Sequence, residues 1–349
     1  MTAVEQPIGI LKSLWARQPD GRWGVTDIKG IYLKPKPGFD TSYFAFESEM
    51  ELMTTTPSRN FHEMSASFGT TDFLMKQSVV PVVAWNNGDP AIRCIGTDSI
   101  ISCSGYVLTA AHVIMDPYES GYGASLVGGQ LKWHDGFNFG VLIPINPAFG
   151  QGERFFPFVG VTAWGKWIES PLITEKDRFE YLTDVAICKI PGIPDGAAHQ
   201  PLNMSLNPFV PGEAAYALGY AEMEDVPLVY GGPIVTLTKT PEEMYVSVGQ
   251  VLRTFPQNHL EKNASTPGPC FDFEARIPGK MSGAPIFGAQ GAVIRGVVSR
   301  GFSNERHAYG VMLGPAMHLQ LGGHAPAQTL HSLMLSRAEG IARIQGVGL

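Results

Sequence analysis

The chain has 349 residues, 44% of them apolar, which is enough for roughly two folding units of about 150 residues each, with sizeable cores. Its 25 Lys and Arg residues against 32 Asp and Glu residues give a net charge of −7, and no basic run is dense enough to neutralise a row of phosphates. Nucleic acid is therefore excluded as an expected partner.

The first residues, MTAVEQPIGILKSLWARQPDGRW, lack the basic start and apolar stretch of a signal peptide. No later segment approaches the roughly 18 apolar residues of a membrane helix. We therefore expect a cytoplasmic protein with no membrane partner. The four cysteines show neither CxxC pairing nor a histidine at zinc-ligand spacing, which predicts free buried thiols and no metal site; they are Cys94, Cys103, Cys188 and Cys270.

The 40 glycines and 27 prolines divide the sequence into many short β-type runs, which favours an all-β class. Residues 1–75 form an N-terminal extension before the first series of runs. Residues 76–195 hold that series, SVVPVVAW, AIRCIG, DSIIS and GYVLTAA, and predict one barrel. Residues 196–320 hold a second series, from AAYALGYA to YGVML, and predict another. In the tail, residues 321–349, the stretch QTLHSLMLSRAEGIARIQ has helical spacing and predicts an amphipathic helix packed on the barrel.

Three segments carry residues suited to catalysis. In YVLTAAHVI, two small residues after a strand let the chain turn and present His112, although a lone histidine there is usually structural. In YLTDVAICKI, Asp184 enters an apolar strand and needs a partner, such as a histidine N–H, or else caps a turn. In IPGKMSGAPIFG, Ser282 lies in a Gly-rich bend before an apolar strand, which suits a nucleophile or an ordinary β-turn.

Together the three segments resemble the chymotrypsin-like serine peptidases. TAAH resembles the histidine motif of that family, DVAI its aspartate strand and SGAP its SGGP signature, and they follow the family order His, Asp, Ser. The resemblance implies two consecutive six-stranded-type antiparallel barrels, a catalytic triad of His112, Asp184 and Ser282, and no cofactor. It implies an oxyanion hole made by the backbone N–H groups of Lys280 and Ser282.

By the same resemblance, the substrate-binding residues are Arg276, Ser299, Arg300 and Gly301, with the strand from 296 to 301 pairing with a polypeptide substrate. The positive charges of Arg276 and Arg300, with His307 nearby, predict a preference for acidic side chains before the scissile bond, unless these side chains point to solvent or pair with Glu274 or Glu305. Val113 follows the histidine where secreted animal members have a cysteine, so the disulfide-free bacterial type is more similar.

Three departures from the family shape further expectations. His112 and Asp184 are 72 residues apart, which predicts an insertion near residues 118–176. Lys280 stands where the family has a glycine, so the backbone torsion required there is costly. We therefore expect a resting state of low activity, which substrate or a regulatory protein partner converts into the active state. Met281 stands where trypsin-like zymogens have the aspartate that pairs with a new N-terminus.

Two other functions stay open at this point. The first is a catalytically silent trypsin-like barrel that binds a partner protein. The second is a hydrolase acting on a small ester or amide.

Overall fold

The computed structural model describes most of the chain from residue 78 onward and three segments before it. The described residues are 8–17, 23–35, 43–51, 78–102, 104–144, 153–172, 175–192, 201–220, 223–231, 234–237, 244–261, 264–288, 293–302, 305–321, 328–335 and 344–345.

The N-terminal segments form an antiparallel meander. Its strands are β1 (Ile8–Arg17), β2 (Trp23–Pro35) and β3 (Tyr43–Glu51). β2 pairs with both neighbours, as in a three-stranded antiparallel sheet. The predicted N-terminal extension is therefore regular β-structure over much of its length.

The next strands curl into a sheet with a dense apolar interior. They are β4 (Val79–Asn86), β5 (Ala91–Ile100), β6 (Tyr106–Thr109), β7 (Ala124–Val127), β8 (Gln130–Trp133), β9 (Phe137–Pro144), β10 (Glu153–Pro157), β11 (Gly160–Ile168) and β12 (Arg178–Lys189). The sheet order is β10-β9-β4-β5-β6-β12-β11. Helix α1 (Ala111–Glu119) follows β6, and the β7–β8 hairpin stands apart. Across the described residues, β10 and β11 are not paired with each other, so this unit is a curled half-barrel.

The second unit is a closed barrel. Its strands and attachments are β13 (Asn203–Ser205), β14 (Ala214–Tyr220), β15 (Val226–Gly231), β16 (Ile234–Leu237), β17 (Met244–Phe255), β18 (His259–Glu261), β19 (Ala264–Thr266), β20 (Cys270–Phe273), β21 (Pro285–Gly288), β22 (Val293–Gly301) and β23 (Ala308–Met312). Pairing runs β14-β17-β20-β23-β22-β21 and back to β14. Six antiparallel strands thus close on themselves, which removes the exposed edges of an open sheet.

Two contacts tie other parts of the chain to these units. β3 pairs with β17 at residues Tyr245 to Ser247, so the N-terminal meander extends the second sheet. β15 pairs with β5, so a hairpin from the second half of the chain lies on the first sheet. A large buried cluster includes Leu108 and Val185 of the first unit and Val246 and Val297 of the second. The apolar interface between the barrels is where the candidate site lies.

Residues 118–176, where an insertion was expected, hold two kinds of strand. β9 and β11 pair with β4 and β12 and supply walls of the first barrel, whereas β7 and β8 form a separate hairpin. After β23 come a 3₁₀ helix (Gly314–His318) and β24 (Gln320–Leu321). The described part of the tail then holds β25 (Gln328–Thr329), the short helix α2 (Leu330–Leu335) and β26 (Ile344–Gln345).

The short helix α2 packs its Leu330 and Leu333 side chains into the cluster between the barrels. β26 adds in parallel to β13, because that short strand offers free backbone groups on its outer edge. Within the described ranges, no helix is long and apolar enough to cross a membrane.

Candidate active site

His112 and Asp184 lie close together where β6 ends and α1 begins. Ala186 of β12 pairs with Thr109, the last residue of β6, so Asp184 lies across from the first turn of α1. The Asp184 carboxylate accepts a hydrogen bond from the His112 backbone N–H at 2.9 Å, and its Oδ2 lies 2.8 Å from His112 Nδ1. Because Asp184 engages both the backbone and the ring, it fixes the position and the orientation of the imidazole.

Ser299 supplies another hydrogen bond to the same carboxylate. Its hydroxyl donates to Asp184 Oδ2 at 2.5 Å, and both side chains are buried. A buried carboxylate needs such donors, since an unsolvated charge without partners is costly. The sequence also singled out Ser299 as a substrate-binding residue, which stays a prediction beside this contact.

The surroundings make His112 a stronger base than an ordinary histidine. Burial lowers the pKa of its imidazole, but the charge of Asp184 and the hydrogen bond to it outweigh burial, so the pKa is raised. The Arg300 guanidinium lowers this pKa and the Glu119 carboxylate raises it, which places opposite charges within electrostatic range of the ring. The side chain is 33% exposed, so a reacting group can reach the ring.

The loop that carries Ser282 is bound to both barrels. The Ser282 carbonyl accepts the Thr97 N–H at 2.8 Å, and the Thr97 hydroxyl donates to the Lys280 carbonyl at 3.1 Å. Gly283 has a φ of 82° and donates its N–H to the Val298 carbonyl at 2.8 Å. Thr97 on β5 and Val298 on β22 therefore hold the serine in the cleft between the barrels.

Gly283 also shows how closely the serine loop approaches the histidine segment. A Cβ at Gly283 would collide with the Thr109 hydroxyl and the Thr97 carbonyl, and would lie 2.9 Å from the Ala110 nitrogen. Ala110 is two residues before His112, so only glycine lets the two loops meet here. Between these two described residues, no hydrogen bond joins Ser282 Oγ to His112 in this structure. Such bonds are often long in the absence of substrate.

Lys280 adopts the torsion expected from its place in the loop. Its φ is 74°, in the left-handed region that glycine favours, and no other non-glycine residue among those described has a positive φ. The backbone N–H groups of Lys280 and Ser282 have no hydrogen-bond acceptor in the described part of the chain. The amide of Ser282 itself and the amide two residues before it are therefore available to a bound oxygen.

The residue between these amides is anchored by apolar packing. Met281 is completely buried, and its sulfur lies 3.8 Å from the Ser247 hydroxyl. The same hydroxyl donates to the Arg276 carbonyl at 2.6 Å. Ser247, like Thr97, was not recognised as important from the sequence, because its partners are remote along the chain.

The remaining predicted substrate-binding residues differ in their exposure. The Arg276 side chain is exposed and does not lie in an enclosed pocket, whereas Arg300 is half-buried. Gly301 packs against the opposite wall, since a Cβ there would lie 2.7 Å from Ile277 Cβ. The slot between the nucleophile loop and β22 is therefore narrow and closed by Ile277.

On the other side of His112, the end of α1 carries an acidic group. The Tyr181 hydroxyl donates to Glu119 Oε1 at 2.9 Å.

Nowhere among the described residues do three His, Cys, Asp or Glu side chains converge as metal ligands. Cys94, Cys188 and Cys270 are free and buried, as predicted, and Cys103 lies outside the described residues.

Two barrels meeting at a cleft that holds an Asp-bound histidine and a serine on a glycine bend define a chymotrypsin-like double-barrel protein. The profile of the trypsin-like peptidase domain matches residues 96–294, more than half of the chain. The chain belongs to this family of serine peptidases. Among curated proteins, no sequence matches it significantly.

Similar solved structures come from proteases. The active form of the Rv3671c protease from M. tuberculosis has 17% identity and a TM-score of 0.38, and the match covers 79% of this chain and 85% of that one. Deg5 has 16% identity and a TM-score of 0.40, with coverages of 74% and 92%. The MamO protease domain from Magnetospirillum magneticum has 15% identity and a TM-score of 0.39, with coverages of 68% and 93%.

Proposed function

We propose that this protein is a serine endopeptidase whose triad is His112, Asp184 and Ser282. The observation that carries the proposal is the 2.8 Å contact between His112 Nδ1 and Asp184 Oδ2, next to a serine loop clamped by Thr97. A histidine whose Nδ1–H is held by a buried carboxylate presents Nε2 as a proton acceptor. A structural histidine would not need a one-third exposed ring beside a glycine-bend serine.

The chemistry assigns one role to each group. Ser282 Oγ attacks the scissile carbonyl carbon while His112 Nε2 accepts the hydroxyl proton. The tetrahedral intermediate collapses to an acyl-enzyme as the protonated imidazole delivers that proton to the leaving amine. Water then attacks the ester by the same route and regenerates Ser282. Asp184 stabilises the imidazolium throughout, and the hydroxyl of Ser299 shares its negative charge.

The negative oxygen that forms at each step needs donors. The N–H groups of Lys280 and Ser282 suit this role, because both lack an acceptor among the described residues and flank the nucleophile. A hole of this kind contributes about 100- to 1000-fold in turnover per donor.

The proposed substrate is a polypeptide that adds an extended strand to β22 near Ser299 and Gly301. No metal or organic cofactor takes part in the proposed reaction, and neither nucleic acid nor membrane is a proposed partner. A cytoplasmic location stays a prediction from the sequence.

A fluorophosphonate probe tests the proposal directly, because it reacts only with an activated serine. The wild-type chain should be labelled and Ser282→Ala should not. Ser170→Ala is a matched control, since among the described residues the Ser170 hydroxyl bonds only to Glu175 and Leu172 of its own loop. The unlabelled wild-type chain should also cleave a denatured polypeptide, and labelling should abolish that cleavage.

Each other outcome points to another function. Absence of labelling in a folded wild-type chain would favour the silent, partner-binding barrel. Labelling with cleavage of simple esters but not of denatured protein would favour a small-molecule hydrolase.

A further inference from the structure

Arg300 is a half-buried cation on β22, next to the residue that binds the Asp184 carboxylate. It follows Ser299, whose hydroxyl binds Asp184 at 2.5 Å, so it lies one residue from the triad along β22. Among the described residues, its guanidinium makes no salt bridge or hydrogen bond. Arginines at half-buried positions generally find an anionic partner, because their five donors are costly to leave unpaired.

Other arginines of the second barrel show the contrast. Arg253 binds Asp272 through two nitrogens, and Arg295 binds Glu213 as well as two backbone carbonyls. Those cations are structural. Among the described residues Arg300 is half-buried without such a bond, and its charge lowers the pKa of His112.

The two sides of β22 offer different space to a bound peptide. On the Gly301 side, Ile277 closes the slot, since it lies 2.7 Å from where a Cβ would stand. Arg300 comes directly before Gly301 on β22, and side chains alternate along an extended strand, so the Arg300 side chain lies on the other side, within electrostatic range of His112. Successive side chains of an extended peptide point in opposite directions. In a bound peptide, the residue whose side chain faces Ile277 is therefore preceded by a residue whose side chain faces Arg300.

We propose that Arg300 is a specificity-determining residue that binds a carboxylate side chain of the substrate, two positions before the scissile bond. This inference rests on the proposed peptidase function. It moves the expected acidic preference away from the residue next to the scissile bond, because Arg276 is exposed and Ile277 closes the slot on the Gly301 side. A guanidinium and a carboxylate match in shape and can form two parallel hydrogen bonds.

The test compares matched peptides that carry Glu or Gln at the second position before the cleaved bond. In the wild type, kcat/KM should be about tenfold higher for the Glu peptide than for the Gln peptide, because a charge-assisted hydrogen bond supplies a preference of that size. In Arg300→Gln this ratio should fall to about one. In Arg300→Glu the ratio should invert, and a Lys peptide should become the best substrate. Arg306→Gln, which removes an exposed arginine nearby, should keep the wild-type ratio.

A second readout separates binding from folding. Removing the Arg300 charge should raise the pKa of His112, so the acid limb of the kcat/KM profile should move to higher pH in Arg300→Gln. If the fluorophosphonate labels the wild type and peptides are cleaved without any Glu preference at this position, the Arg300 proposal is wrong and the peptidase proposal survives. If nothing is labelled, the peptidase proposal itself fails.

Discussion

Replacing Lys280 with glycine tests whether the nucleophile loop is strained in its resting state. Lys280 has a φ of 74°, a conformation that costs a residue with a Cβ about 1 kcal/mol or more and costs glycine almost nothing. The competing arrangement turns the peptide between Gly279 and Lys280 so that its N–H leaves the oxyanion position. Removing a torsional cost of about 1 kcal/mol should raise the ratio of the productive to the competing arrangement by about fivefold.

The assay is the second-order rate of fluorophosphonate labelling, together with kcat/KM for a peptide substrate. Both should rise up to about fivefold in Lys280→Gly. Lys280→Ala is the control, because it keeps the Cβ and its torsional cost while removing the ammonium group. It should resemble the wild type. Thermal unfolding of each variant shows whether the fold is intact.

Equal or lower rates in Lys280→Gly than in Lys280→Ala, with both folded, would refute the reasoning. In that case the contacts of the loop, Thr97 to Lys280 and Ser247 to Met281, hold the productive peptide fully populated despite its torsion. A rise in both variants would assign the effect to the charge of Lys280 instead of its backbone.

Three further measurements follow from the same structure. The rate should fall as the pH drops through the pKa of His112, and this limb should lie above the range of an ordinary histidine, because only the neutral ring accepts the serine proton. Burial raises the pKa of Asp98 to about 8, so between about pH 4 and pH 8 the folded state holds a proton that the unfolded state has released. The free energy of unfolding, measured with urea, should therefore fall by about 1 kcal/mol for each unit that the pH rises through this range, and Asp98→Asn should flatten that slope. Deleting residues 1–51 should lower both the melting temperature and the labelling rate, because β3 pairs with β17 at Ser247, whereas deleting residues 1–7 alone should change neither.

The pairing of histidine and aspartate was expected from the family resemblance, which rests on local motifs. The small residues before His112 and the apolar strand after Asp184 are visible within ten residues of each, although neither motif alone excludes a structural role. The extent of the first barrel was harder to predict. The run Phe137–Pro144 is interrupted by Gly140, and a Cβ at that position would overlap the backbone of β10, so the glycine marks close strand packing and not a loop.

Contacts between remote segments could not be predicted from one sequence. Thr97 lies 183 residues before its partner Lys280, and nothing in AIRCIGTDSI distinguishes it from an ordinary polar residue of a strand. The closure of Ile277 against Gly301 also depends on how β22 meets the nucleophile loop. The sequence placed Arg276 at the pocket floor and Arg300 near its wall; in the structure Arg276 is exposed and Arg300 lies within electrostatic range of His112.

The arrangement around Met281 explains why this chain should not need a newly cut N-terminus. In trypsin-like zymogens, a new terminal amine reaches a carboxylate directly before the serine and orders the loop through that ion pair. Here the same position holds a completely buried thioether, which packs in the apolar cluster with Ile277 and Phe271 and contacts the Ser247 hydroxyl. An incoming ammonium would find no charge and would lose its hydration. Ser247 belongs to β17, and β17 is the strand to which β3 adds. The N-terminal segment therefore supports the nucleophile loop by backbone pairing from outside the barrel, a contact that is present in the uncut chain.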